Sequence, residues 1–269
     1  MKEDRAKQGS GSGAEGRKRP RLLPGLTVGD GLMRHPFDIE NGVRTSGLVA
    51  GRHLKSGHRH DRHATAYYGV APSVFHTLLR RWQRSKPAAS IAEFTFIDIG
   101  AGMGRAMLLA AQMPFRETIG VELNPTLSRI ARRNAALWRK TGRAHAPMHV
   151  SCQDAVEFRF PPGPCLVFLF NPFGAAVMRR MLKAMAKSFA DRPGQLDLLY
   201  VNNEQEGVLE EQKGFTRLFL GKISRSRADA KADYAILNNQ PDGEYASANY
   251  EDCSMWRWMG SHKGAGRRE

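Results

Sequence analysis

The chain has 269 residues, 41% of them hydrophobic, and a formal net charge of +15 at pH 7. That length suits one α/β domain with extensions rather than two full domains, and that apolar share is enough for a sizeable core. The longest strongly apolar run, Cys165–Phe170, falls far short of the ~18 residues of a membrane span, and the opening MKEDRAKQGSGSGAEGRKRPR has no apolar stretch that would make a secretory signal.

In chain order, residues 1–30 are rich in Gly, Ser, Lys and Arg and are expected to be a disordered basic tail. Residues 31–66 are polar and irregular, with turn signals at Gly42, Gly47 and Gly51. A helix pattern starts near Pro72, with Val74, Phe75, Leu78, Leu79 and Trp82 on one face. Phe94–Ile99 reads as a buried strand, Arg105–Met113 as a helix and Thr118–Glu122 as a second strand. Asn124 and Pro125 make an N-cap and first-turn pair for a helix reaching about Lys140. Met148–Cys152 is a short strand candidate and Cys165–Phe170 a stronger one. Gly174–Ala190 carries Val177, Met178, Met181, Leu182, Met185 and Phe189 on a helical stripe that reads as core packing. Leu196–Val201 is another buried strand. Phe215–Leu220 and Ala232–Leu237 are read as an antiparallel pair at the sheet edge. Residues 241–269 are read as a C-terminal tail, polar apart from Met255, Trp256, Trp258 and Met259. The alternation predicts an α/β fold, an open and mostly parallel sheet with helices on both faces and an antiparallel edge strand.

Four strand ends carry the chemistry. The first is Asp98-Ile99-Gly100-Ala101-Gly102-Met103-Gly104, where a buried strand meets a glycine turn that opens a helix. Glycines let the backbone turn sharply and approach a ligand closely, and open α/β sheets bind ligands at the carboxyl ends of their strands. The second is Glu122, which closes the next strand and can accept hydrogen bonds from both ribose hydroxyls of a nucleoside; such a carboxylate is expected to be wet. A dinucleotide fingerprint wants a glycine at position 105, but Arg105 stands there and would hinder a pyrophosphate at the helix N-terminus. The turn therefore suits a ligand without phosphates.

The third is Cys152-Gln153-Asp154-Ala155. The Asp154 carboxylate can accept an exocyclic amine of adenine, or cap a helix, or both. The fourth is Phe170-Asn171-Pro172-Phe173-Gly174. The Asn171 side-chain carbonyl and the Pro172 backbone carbonyl can accept N–H bonds from a substrate amine, and Phe173 can stack on a flat substrate or sit beside a cation. The plain alternative is a strand-ending turn, for which Asn, Pro and Gly are natural.

This order of motifs over roughly residues 67–240 resembles the class I, seven-stranded Rossmann-like S-adenosylmethionine-dependent methyltransferases. Phe37-Asp38 with Gly42-Val43-Arg44-Thr45-Ser46-Gly47, then Tyr67-Tyr68, then the glycine motif, look like a bacterial group of unassigned substrate. The glycine region is also similar to seven-strand protein-lysine methyltransferases. The resemblance implies S-adenosyl-L-methionine as cofactor. Asp98, Gly100, Ala101, Gly102 and Gly104 would surround its methionine part, Glu122 with Leu123 would hold the ribose, and Asp154 with Ala155 the adenine. Tyr68 or Tyr67 would lie in a flap, so residues 31–90 read as an N-terminal extension with a flap helix and 91–240 as the catalytic domain. Asn171, Pro172 and Phe173 would face the acceptor. Nucleic-acid amine methyltransferases carry Asn/Asp-Pro-Pro-Tyr/Phe, whereas this chain has Asn171-Pro172-Phe173-Gly174, one proline short.

The implied activity is methylation of a nitrogen on a protein or small molecule. The alternatives are RNA or DNA amine methylation and a catalytically silent cofactor-binding regulatory domain. A basic chain suits an acidic partner such as nucleic acid, but the excess is diffuse, +6 over residues 1–62 and +9 over the rest, which is more often a solvated surface. Arg129, Arg132, Arg133 and Arg139 read as such a face. His53, His58, His60 and His63 lack a matching Cys or carboxylate pattern, so no metal site is expected. Three cysteines without metal-ligand spacing, Cys152, Cys165 and Cys253, fit a reducing cytoplasm.

Overall fold

Apolar runs bounded by turn residues build the centre of a sheet: β1 (Thr95–Ile99), β2 (Glu117–Glu122), β3 (Met148–Cys152), β4 (Cys165–Phe170) and β5 (Leu196–Val201), all parallel. A computed structural model describes residues 34–238 and 248–260. The expected basic tail, residues 1–30, lies outside the described residues. Two further strands, β6 (Phe215–Ser224) and β7 (Tyr250–Trp258), complete a seven-stranded sheet of order β3-β2-β1-β4-β5-β7-β6. Only β7 runs antiparallel to its neighbours. This is the seven-stranded, Rossmann-like arrangement that the resemblance implied.

Side chains of the central strands alternate between two cores. Phe96, Leu166 and Phe168 face a layer of α2 (Pro72–Arg84), α3 (Arg105–Ala111) and α4 (Pro125–Lys140). Ile97, Ile99, Val167 and Leu169 face α5 (Ala175–Ser188), whose methionine stripe is fully buried, and α6 (Glu206–Glu211). Burial on both faces is why these strands read as continuous apolar runs rather than alternating ones. Asn124 caps α4, its side-chain oxygen accepting the N–H groups of Thr126 and Leu127, and the four arginines of that helix are exposed.

The structure corrects three expectations. Ala232–Leu237 is no strand; it lies in α7 (Arg227–Asn238). Ser226 starts that helix, its hydroxyl accepting the Asp229 N–H, and alanines at 228, 230, 232 and 235 favour the helical state. The seventh strand is Tyr250–Trp258, so the segment from 241 is not a separate tail; its last residues, 261–269, lie outside the described ones. α2 is not a flap, because Val74, Phe75, Leu78, Leu79 and Trp82 are all buried against the sheet layer. Its Trp82 Nε1 donates to Asp197 of β5 at 2.7 Å, and Asp197 also accepts Arg257 of β7 at 2.7 and 2.9 Å.

The segment before α2 is held by buried polar groups. After α1 (Pro36–Asn41), Asp38 accepts the backbone N–H groups of Thr45 and Ser46 at 2.6 and 2.7 Å. Arg105 clamps the same loop, donating to Thr45 Oγ1, Ser46 Oγ and the Gly69 and Val70 carbonyls.

Candidate active site

The carboxyl ends of β1 to β4 surround a cavity of about 960 Å³ counting its open mouth, at the strand ends where open α/β sheets bind their ligands. After β1 the chain passes through Gly100, Gly102 and Gly104 at φ of 72°, 54° and 90°, the left-handed region that glycine enters without strain. What comes close to this turn is the protein itself. A Cβ on Gly100 would meet Pro172 at 2.4 Å, and one on Gly102 would meet the Tyr67 ring at 2.1 Å. Gly100 and Ala101 line the cavity with Asp98; Gly102 and Gly104 stand behind it.

Glu122 and Leu123 line the second side. Glu122 is only 8% exposed, not wet, and burial raises its pKa. Its two oxygens accept Gly102 N–H and Asn124 N–H, each at 2.7 Å. One carboxylate therefore ties the glycine turn to the N-cap of α4, and its loss takes stability as well as any ligand contact. Each oxygen keeps a second lone pair. Asp98 is 4% exposed, and its pKa is pushed up to about 7 by burial and by the Glu122 charge, against one hydrogen bond from Met107 N–H.

Asp154 and Ala155 line the third side. Asp154 caps a short 3₁₀ turn through Val156 N–H at 3.0 Å. Its other oxygen lies 2.6 Å from His60 Nδ1 and 3.9 Å from His58 Nε2. The carboxylate missing from the histidine-rich stretch thus comes from a distant part of the chain, and the three ligand atoms fall within 4.8 Å of one another. Arg180 weighs against a metal here. Its guanidinium sits 2.9 Å from His60 Nε2 and must donate to it, whereas a histidine ligating through Nδ1 carries its proton on Nε2.

Pro172 and Phe173 close the fourth side, but Asn171 does not line this cavity. It turns at φ 37° into a second one, of about 1290 Å³, lined also by Asn202, Glu204, Arg225, Tyr250, Glu251 and Asp252. Thr65, Ala66, Tyr68 and Phe170 line both cavities, so the two adjoin. Asn171 is 6% exposed and its side-chain oxygen has no partner among the described residues. The Pro172 carbonyl, read from sequence as a free acceptor, already takes Thr65 N–H at 3.4 Å, because residues 63–65 run alongside Asn171–Gly174 as a bridging strand. Of the two tyrosines, Tyr67 packs on Gly102 and donates to the Thr45 carbonyl, while Tyr68 donates to Asp233 of α7 at 2.6 Å.

No family model matches the chain. No curated protein matches it either. Its fold is similar to that of solved structures. TrmN from Thermus thermophilus is 16% identical over 71% of this chain and 49% of its own, at a TM-score of 0.46. Magnesium protoporphyrin IX methyltransferase (ChlM) from Synechocystis PCC 6803, with bound SAM, is 15% identical over 69% of this chain and 77% of its own, at 0.43. The [4+2]-cyclase SpnF is 17% identical over 70% and 81%, at 0.47. The chain spans about half the length of TrmN. These likenesses concern the fold.

Several lining residues escaped the sequence reading. His60, Leu54 and Asn124 reach the first cavity. Asn202 ends β5 at φ 48°, beside Asn171 at the end of β4, with Asn171 N–H donating to the Val201 carbonyl between them. Both asparagines take a conformation their short polar side chain tolerates. An asparagine directly after an apolar strand is the shared signal, and Val201-Asn202 shows it as openly as Phe170-Asn171. The residues from β7 carried no such signal, because they lay in the presumed tail.

Proposed function

We propose that the chain is an S-adenosylmethionine-dependent methyltransferase whose acceptor atom is a nitrogen. The observation that carries the cofactor is Glu122, a buried strand-end carboxylate fixed by two backbone N–H groups and lining the cleft at the strand ends. The surrounding residues fit this group. Glu122 would take the ribose hydroxyls and Asp154 with Ala155 the adenine. Asp98, its pKa held near 7 by burial and the Glu122 charge against a single Met107 N–H bond, gains a cationic partner in the ammonium of an amino acid. Tyr68 would cover the methionine part. A dinucleotide fits less well: Arg105 occupies the third glycine position and spends its N–H groups on Thr45, Ser46, Gly69 and Val70, leaving no anion-binding fork.

When bound, the cofactor supplies a sulfonium methyl group for direct displacement. The protein then has to align the acceptor and exclude water rather than provide a nucleophile. Asn171 offers the acceptor a buried, unpaired carbonyl oxygen, which orients an amine lone pair by accepting its N–H.

Isothermal titration should show binding of S-adenosylmethionine and of its demethylated product, and no binding of NAD. Comparable NAD affinity, or silence toward both nucleosides, rejects the reading. Asn171→Ala should hold cofactor affinity within about threefold while lowering the methylation rate by about 10²-fold, the scale of one orienting hydrogen-bond group. Asn171→Asp keeps an acceptor oxygen and should retain more activity on an amine than Ala does. Equal loss of folding and cofactor binding in both variants would return Asn171 to the role of turn former.

A further inference from the structure

The second cavity has a charge opposite to that of the molecule. Its described wall holds the carboxylates of Glu204, Glu251 and Asp252 and one guanidinium, Arg225, a formal balance of three against one, or −2, in a chain of +15. Arg225 faces inward onto acids. It pairs with Glu251 and lies 3.3 Å from Asp233. Asp252 stands opposite Lys222 across the β6–β7 ladder. Glu204 is exposed, meets only the Asn202 amide at 3.5 Å, and pairs with no cation among the described residues. Of the three, Glu204 is the carboxylate with neither a cation partner nor a cation opposite it among the described residues.

At the inner end the demand is also for donors. Asn171 Oδ1 is buried and unpartnered, so a ligand reaching it must bring an N–H or O–H. The rest of the described wall includes the apolar and aromatic Leu48, Leu237, Phe170 and Tyr68. Tyr250, at the rim, already carries the Lys222 ammonium 3.8 Å from its ring centre, so aromatic faces here accept cations.

We infer that this cavity is the acceptor subsite and that it takes an aliphatic ammonium group, which gives up one proton to bulk water before its lone pair can accept a methyl. One N–H of the ammonium meets the Asn171 oxygen, a methylene stem lies along Phe170 and Tyr68, and Glu204 selects for positive charge on entry. The inference rests on the methyltransferase reading for the word acceptor; the charge selectivity stands on the wall itself. A nucleic-acid acceptor is disfavoured, because its phosphates would face Glu204 and Asp252.

The test measures binding, with the full chain saturated by the demethylated cofactor product. For a small-molecule source, 1,5-diaminopentane is compared with 1,5-pentanediol. For a protein source, a lysine peptide is compared with the same peptide carrying norleucine. At least one cation should bind ten times more tightly than its neutral counterpart, and whichever does names the source. Glu204→Gln, an exposed change that leaves the fold alone, should weaken that cation at least fivefold while product affinity moves less than twofold. No preference for either cation, an unchanged cation affinity in Glu204→Gln, or a single-stranded oligonucleotide that displaces the amines overturns the inference. If the product nucleoside fails to bind while the amine preference persists, the methyltransferase reading falls and the cation site remains.

Discussion

Asp98 holds its proton near neutrality because the fold removes it from water and sets it beside Glu122, with one backbone N–H to offset both. The folded pKa, about 7, lies above the ordinary 3.8, so the native state favours the protonated form. Its contribution to stability is complete below about pH 4 and is lost as pH rises toward 7. Asp98→Asn keeps an oxygen for Met107 N–H and cannot ionise. It should therefore raise the melting temperature of the ligand-free protein at pH 8, with each kcal/mol worth about 2–4 °C in a domain of this size, and the gain should vanish near pH 4. The same variant should bind S-adenosylmethionine at least about tenfold more weakly, since an ion pair with the ammonium is lost. A melting difference that does not depend on pH would show that Asp98 ionises normally. The position of Asp98, Glu122 and Asp154 at strand ends was legible in the sequence. The unpaired oxygen of Asn171 was legible as an acceptor, but not as one facing a separate cavity, because that depends on which way a left-handed turn points it. The His60–Asp154 contact joins residues 94 positions apart and leaves no trace in spacing.

Elements are fastened by a few buried polar ties, of which Asp197 joins the most. It is 1% exposed and accepts Trp82 of α2 and Arg257 of β7 from its place in β5. Arg257 is only half-buried and also donates to the Ser85 and Lys86 carbonyls, so removing Asp197 chiefly strands the buried Trp82 Nε1–H, at a cost of about 1–3 kcal/mol. Asp197→Ala should lose that much in urea denaturation, with cofactor affinity of the folded protein unchanged within twofold. A loss below about 1 kcal/mol would mean that the Trp82 N–H finds water instead. The elements read most directly from sequence were the doubly buried strands and the capped helix α4, where local pattern and burial agree. Ala232–Leu237 was misread because four to six mixed apolar residues fit either period, and the alanines around them decide for helix. Tyr250–Trp258 was missed for the opposite reason. Its polar Tyr-Glu-Asp start masks a strand whose apolar half is split between two cores.

For the whole molecule, the parallel half of the sheet follows from the alternation of strands and helices along the chain, and that much was available from the sequence. The place of β7 was not. It is the last described strand in the chain and yet lies inside the sheet, between β5 and β6. That order has a consequence for synthesis. Until Tyr250–Trp258 has been made, β5 presents an open edge of unpaired N–H and C=O groups, flanked by the buried Leu198 and Tyr200, and β6 has no strand to pair with. The basic chain thus spends its synthesis with a sticky interior edge exposed, the kind of surface that recruits other chains. Emergence of Tyr250–Trp258, rather than the pairing of β1 to β5, sets the moment at which this edge is covered.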